Sequence, residues 1–99
     1  MAVEITASGT RVEAAPGEEI VIRLTENTTT GYQWTIMDLG RHVELVDDEL
    51  TETRSNGERV IRLRATDPGL SKVRLELKRP WERTQIERFE VQVDVSAVR

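Results

Sequence analysis

Apolar and polar residues alternate with a period of two along most of this chain. In a β-strand, successive side chains point to opposite faces of the sheet, so this alternation gives one apolar face and one charged face. No segment fits the 3.6-residue period of an amphipathic helix better, and the pattern therefore predicts an all-β fold. The clearest alternating runs contain Ile20, Ile22 and Leu24; Ile61, Leu63 and Ala65; Val73, Leu75 and Leu77; and Phe89, Val91, Val93 and Val95.

Glycine and proline separate the alternating runs and indicate turns. Asn56-Gly57 is predicted to be a hairpin turn, because both residues tolerate positive φ, and Asp67-Pro68-Gly69 is predicted to be another turn. Turn signals about every 8–12 residues are typical of a sandwich or barrel. Strands with one apolar face favour two sheets packed face to face. Strands are predicted near residues 3–7, 10–14, 18–26, 33–38, 43–50, 58–66, 70–78 and 84–96.

The order of these strands predicts where their connections lie. If successive strands reverse direction, alternate connections meet at the same end of the sandwich. The connections near residues 27–32, 52–57 and 79–83 then share one end, and the turn at 67–69 lies at the other. Loops at one end of a rigid scaffold commonly carry a binding site, so the shared end is the predicted functional one.

Composition and charge exclude several classes of function. The 99 residues suit a single domain spanning residues 1–99, and a formal net charge of −4 argues against binding to nucleic acid. Without cysteine there is no disulfide, thiolate nucleophile or cysteine-ligated zinc. Residues 1–6 lack the features of a signal peptide, and no apolar run is long enough to cross a membrane. We expect a monomer that binds no cofactor and is cytoplasmic unless a leader has been removed.

The sequence shows neither a catalytic nor a metal-binding pattern. His42 is the only histidine, and a Ser-His-Asp site would need it beside a serine such as Ser55 or Ser71, which nothing local indicates. We expect it on the surface. The acidic residues 47–49 lack the spacing of a calcium loop and are expected to form a solvated strand end.

Two segments at the predicted shared end have an unusual composition. In Asn27-Thr28-Thr29-Thr30-Gly31-Tyr32-Gln33-Trp34, three threonines and a glycine form an uncharged ridge with an accessible backbone. In Lys78-Arg79-Pro80-Trp81-Glu82-Arg83, a tryptophan stands among charged residues in a loop that proline stiffens. A tryptophan in such a loop is a typical hot spot of protein–protein binding, because it buries a large area at low entropic cost.

These two segments resemble the motifs of the chagasin family of cysteine-peptidase inhibitors. Residues 27–34 resemble the family's N-P-T-T-G-Y-x-W motif, and Arg79-Pro80-Trp81 matches its R-P-W motif. The chain departs from the family at Thr28, where proline is usual, and at residues 54–57, which keep only the final glycine of a G-x-G-G motif. The resemblance in length, strand pattern and motif order covers nearly the whole chain.

The resemblance implies an immunoglobulin-like β-sandwich of seven to eight mostly antiparallel strands. It also implies reversible, competitive, noncovalent inhibition of papain-like cysteine peptidases by three loops that occlude the active-site cleft. Residues 29–31 would cover the catalytic Cys–His pair, Trp81 would pack on the primed side, and the 54–57 loop would run beside the cleft. The implied peptidase-binding residues are Thr28, Thr29, Thr30, Gly31, Tyr32, Ser55, Asn56, Gly57, Arg79, Pro80 and Trp81.

Other interpretations of the same residues stay open. Trp34 begins a strand and is expected in the core, Tyr32 suits either scaffold or contact, and Trp81 has the alternative of folding back on the sandwich edge. For the whole chain, the alternative is an immunoglobulin-like binding or adhesion module whose partner is not a peptidase. An enzyme is disfavoured, because no nucleophile–base pair or metal constellation is visible.

Overall fold

The computed structural model describes residues 2–27, 30–53 and 56–97, and these residues contain eight β-strands. These residues contain no helix, and hence none that could cross a membrane. The predicted all-β fold is confirmed, although β5 extends further and β8 begins later than the alternation indicated. The strands are β1 (Ala2–Ile5), β2 (Thr10–Ala14), β3 (Glu19–Glu26), β4 (Gln33–Asp38), β5 (Val43–Thr53), β6 (Asn56–Ala65), β7 (Gly69–Lys78) and β8 (Glu87–Val95).

The strands form two four-stranded sheets, in the orders β1-β3-β6-β5 and β2-β8-β7-β4. Neighbours are antiparallel except for the pairs β1–β3 and β2–β8, which are parallel. Strands β3 and β5 therefore run in the same direction on either side of β6, and β4 and β8 do so on either side of β7. This arrangement matches the predicted sandwich of mostly antiparallel strands.

The core lies between the sheets and is built from the inward positions of the alternating runs. Isoleucine, leucine and valine residues of β3, β6, β7 and β8 fill it, and many are completely buried. Trp34 on β4 is 5% exposed and packs edge-to-face against Phe89, with ring centroids 6.4 Å apart. Its indole N–H donates to the carbonyl of Thr25, 3.0 Å away, which satisfies the buried donor. The prediction that Trp34 belongs to the core is confirmed.

The predicted hairpin turn at Asn56-Gly57 is wrong. Both residues belong to β6, where Asn56 pairs with Thr53, and Gly57 lies between Glu52 of β5 and Glu26 of β3. The ladder continues past the last apolar residues because backbone hydrogen bonds do not depend on the polarity of the side chains. Thr28 and Thr29, between β3 and β4, lie outside the described residues. So do Arg54 and Ser55, between β5 and β6.

The end of the sandwich that carries the β6–β7 turn is closed around His42. Its backbone N–H donates to Ser71 Oγ at 2.8 Å, and its ring Nδ1 lies 3.2 Å from the carbonyl oxygen of Asp67. The His42 side chain is 24% exposed, so the expected surface histidine is half-buried. Ser71 is fully buried and contacts the histidine backbone rather than its ring, so the two residues do not form a nucleophile–base pair.

Candidate functional site

The loop between β3 and β4 turns through hydrogen bonds of its own threonine. The hydroxyl of Thr30 donates to the carbonyl of Asn27 at 3.2 Å and accepts from the N–H of Tyr32 at 3.4 Å. Gly31 stands between them with φ = +83°, in the left-handed region that favours glycine. The described part of this loop is thus a compact, uncharged tip whose hydroxyl is used internally.

The loop between β7 and β8 projects Trp81 into solvent. The N–H of Glu82 donates to the carbonyl of Arg79 at 3.0 Å, which closes a turn with Pro80 and Trp81 at its centre. Trp81 is 73% exposed, more than any other large apolar residue of the described chain. Its indole lies beside Gly31, since a Cβ atom built on that glycine would be 3.3 Å from Trp81 Cη2. Trp81 therefore does not fold back on the sandwich edge.

Arg79 joins these two loops. Its Nε donates to the carbonyl of Thr30 at 3.1 Å, and its guanidinium carbon lies 4.4 Å from the centroid of the Tyr32 ring. Nη1 is also 3.6 Å from a carboxylate oxygen of Glu82 within the same loop. The prediction that the two motif-bearing loops meet at one end is confirmed, and Tyr32 has a structural part in that meeting.

The third predicted loop joins β5 to β6 at the same end of the molecule. Gly57 pairs with Glu26, the last residue of β3, so this connection begins next to the root of the β3–β4 loop. Asn56 is exposed, whereas Gly57 is buried in the ladder between its two neighbouring strands. All three connections predicted to share an end therefore do so.

A buried ion pair lies under the β3–β4 loop, and the sequence analysis did not identify it. Glu26 is 2% exposed and binds the guanidinium of Arg59 through two 2.8 Å hydrogen bonds. The hydrogen bond from Arg59 to Glu26 is the largest cause that raises the pKa of the arginine above its ordinary value. A signal was present, because Glu26 and Arg59 occupy the inward positions of strands that are otherwise apolar at those positions.

The described residues offer no alternative chemistry at this end. They contain no group of three or more histidine, cysteine, aspartate or glutamate side chains that could hold a metal ion. What the arrangement provides is a surface: an uncharged backbone tip at Thr30 and Gly31, and an exposed tryptophan beside it. Such a surface is suited to entering a groove of another protein.

Two linked loops at one end of an all-β sandwich are the arrangement typical of loop-based protein binders. Comparison with known sequences defines the class further. The family described as "Chagasin family peptidase inhibitor I42" matches residues 13–93. The chain therefore belongs to the chagasin family of peptidase inhibitors. None of the individual curated protein sequences compared with the chain matches it significantly.

Solved structures with the same fold include three of similar length. The cysteine protease inhibitor EhICP2 from Entamoeba histolytica is 22% identical, with a TM-score of 0.85 over 96% of this chain and 95% of that one. Amebosin, solved in solution, is 30% identical, with a TM-score of 0.75 over 97% and 99% of the two chains. PbICP-C, solved in complex with falcipain-2, is 14% identical, with a TM-score of 0.71 over 95% and 99%.

Proposed function

We propose that this chain is a reversible, competitive, noncovalent inhibitor of papain-like cysteine peptidases. Family membership supports inhibition of a peptidase, and EhICP2, whose fold is similar, is a cysteine protease inhibitor. PbICP-C was solved in complex with falcipain-2, which supports direct binding as the mode of inhibition. In this proposal, residues 1–99 act as one inhibitor domain.

The observation that carries the proposal is the contact between the two motif-bearing loops. Gly31 and Trp81 lie side by side, and Arg79 donates a hydrogen bond to the carbonyl of Thr30. The two loops therefore present one continuous surface. In this proposal, the segment 29–31 covers the catalytic Cys–His pair, and the tip at Thr30 and Gly31 enters the cleft. Because the tip carries no charge, little charge is desolvated on entry.

The remaining residues extend the contact on either side of the tip. Trp81, supported by Arg79 and Pro80, packs on the primed side of the cleft. The connection at residues 54–57 runs beside the cleft in this proposal, and Gly57 lies in the ladder at its base. Tyr32 supports the tip from within, through its contact with Arg79. Inhibition of this kind does not require a peptide bond of the chain to be presented in cleavable geometry, so the peptidase is occupied without being acylated.

Titration of papain with the purified chain tests this proposal. We expect competitive inhibition at micromolar concentration or below. The variant Trp81→Ala should weaken it by about 2 kcal/mol, roughly 30-fold, because an exposed anchor residue is lost. Leu70→Ala is the matched control, since Leu70 is an exposed apolar residue at the start of β7, away from the loops. Unaltered papain activity at high micromolar inhibitor would refute the proposal and favour a binding module with another partner.

A further inference from the structure

The carboxylate of Glu26 joins the two sheets directly below the β3–β4 loop. Its Oε1 accepts hydrogen bonds from the backbone N–H of Trp34 at 2.7 Å and from Arg59 Nε at 2.8 Å, while Oε2 accepts from Arg59 Nη2 at 2.8 Å. Glu26 ends β3 in one sheet, whereas Trp34 lies on β4 in the other. One buried carboxylate thus fixes the distance between the two ends of the loop.

Two further contacts extend this network to the third loop. The indole of Trp34 donates to the carbonyl of Thr25 at 3.0 Å, so β4 is tied to β3 twice. Arg59 on β6 also donates through Nη1 to Asp48 of β5 at 2.9 Å. The four strands that lead into the β3–β4 and β5–β6 loops are therefore connected through Glu26 and Arg59.

Overall stability alone gives little reason for charged groups at this position. Removing two charges from water is costly, and a well-packed apolar pair of similar volume is often as stable as a buried ion pair or more so. An apolar side chain at position 26, however, would leave the buried N–H of Trp34 without its acceptor. What the ionised pair provides, and an apolar pair does not, is a fixed geometry at the root of the loop.

We propose that Glu26, held by Arg59, is a positioning residue that sets the spacing of the β3–β4 loop for binding. This inference rests on the proposed function. It assigns a part in the affinity for the peptidase to a buried glutamate and a partly buried arginine, neither of which belongs to the tip. Preorganisation of this kind raises affinity by reducing the ordering that must occur on binding.

The test uses two network variants and one stability control in the full chain. Glu26→Gln keeps the shape and an oxygen that can accept from Trp34, but it removes the charge and sets an amide against the guanidinium. Arg59→Lys keeps both charges and loses the bidentate geometry. Val93→Ala creates a cavity in the opposite half of the core, where Val93 pairs with Ser71. Papain inhibition is measured well below the lowest melting temperature of the set, so that every variant is fully folded.

We expect Glu26→Gln to weaken inhibition about tenfold or more and Arg59→Lys to weaken it less, while Val93→Ala inhibits like the parent chain despite a lower melting temperature. Without peptidase, amide exchange at Gly31 and Tyr32 should quicken in Glu26→Gln but not in Val93→Ala. If Glu26→Gln does not fold, Arg59→Lys is compared with Val93→Ala in the same two measurements.

Parent-like affinity together with parent-like exchange at Gly31 and Tyr32 in the network variants would overturn this inference. The inference would also be overturned if Glu26→Gln and Arg59→Lys weakened papain inhibition no more than Val93→Ala does. If the parent chain itself does not inhibit papain, the proposed function fails separately. The exchange measurement then still decides whether Glu26 orders the loop.

Discussion

The guanidinium of Arg79 lies against the face of the Tyr32 ring, 4.4 Å from its centroid, and so joins the two loops that carry the family motifs. The same side chain donates from Nε to the carbonyl of Thr30. The guanidinium of Arg79 therefore makes its contacts within the chain, and its contribution to binding is to hold the tip and Trp81 together.

Replacing Arg79 should consequently affect inhibition more than stability. Arg79→Ala should weaken papain inhibition about tenfold, because the tip and Trp81 are then no longer held together before binding. The free energy of unfolding should change by less than about 1 kcal/mol, because the loops contribute little to the core. Inhibition constants and denaturant unfolding measure the two quantities.

Arg83→Ala is the control for this prediction, since it removes an exposed arginine from the same loop. It lowers the net charge by the same amount and touches neither Thr30 nor Tyr32 in the structure. Equal losses for the two variants would mean that charge, rather than the link between the loops, determines the effect.

Asp67, in the β6–β7 turn at the end opposite the binding loops, should make the stability of the fold depend slightly on pH under acidic conditions. The hydroxyl of Thr66 donates to Asp67 and is the largest cause that lowers the pKa of this carboxyl below its ordinary value of 3.8. A depressed pKa in the folded state stabilises the fold above pH 3.8, and this contribution disappears as the pH falls through the folded pKa. Asp67→Asn should therefore lose less stability than the parent chain between about pH 5 and pH 2. Chemical unfolding at several pH values measures this, and parallel curves would contradict it.

Much of the fold follows from the alternation of side chains. Ile20, Ile22 and Leu24 predict the inward face of β3 because burial of one sheet face leaves a period of two in the sequence. The same rule fails at Gly57, which lies inside the ladder, since backbone pairing continues wherever two strands stay adjacent. Strand ends set by the backbone are therefore less visible in the sequence than strand centres set by the core.

The site was predictable only in part. The motifs drew attention to Gly31 and Trp81, and the reversal of successive strands brought their loops to one end. The bond from Arg79 to Thr30 spans 49 positions of the chain, and no local pattern encodes a contact of that range. Glu26 was interpretable in principle, because a charge at an inward position requires a partner, but the sequence does not show which arginine supplies it.

The His42 ring leaves no room for a side chain at position 69, so this position should tolerate only glycine. A Cβ atom there would overlap the imidazole ring of His42, which packs over the glycine. Overpacking of this kind costs about 1–3 kcal/mol, and φ = +144° adds backbone strain, so Gly69→Ala should lower the free energy of unfolding by at least that amount. The double variant Gly69→Ala/His42→Ala should recover part of the loss. Denaturant unfolding measures both, and the absence of any recovery would show that the ring is not the cause.

Papain inhibition by Gly69→Ala should match that of the parent chain at a temperature where both are folded. Gly69 begins β7, at the end of the strand remote from Lys78 and the loop that follows it. A weaker inhibitor would mean that strain at this end reaches the binding loops.

Gly31 and Gly9 provide the sharpest comparison, because they share the same backbone angle and differ in what surrounds them. Both have φ = +83°, so alanine at either position should cost about 1–2 kcal/mol of backbone strain. A Cβ atom on Gly31 would lie 3.3 Å from Trp81 Cη2, whereas one on Gly9 would meet nothing within 4 Å. Because the backbone strain is the same, Gly31→Ala and Gly9→Ala should lower the free energy of unfolding by similar amounts in denaturant unfolding.

Only Gly31→Ala should also weaken papain inhibition, about tenfold or more, because it displaces the tryptophan and widens the tip at once. Gly9 lies in the β1–β2 connection, where its N–H donates to the carbonyl of Glu90, away from Arg79 and Trp81. Comparable inhibition by the two variants would mean that the contact between Gly31 and Trp81 does not shape the binding surface. A loss confined to Gly31→Ala would tie the affinity to that contact, because the backbone strain is common to both variants.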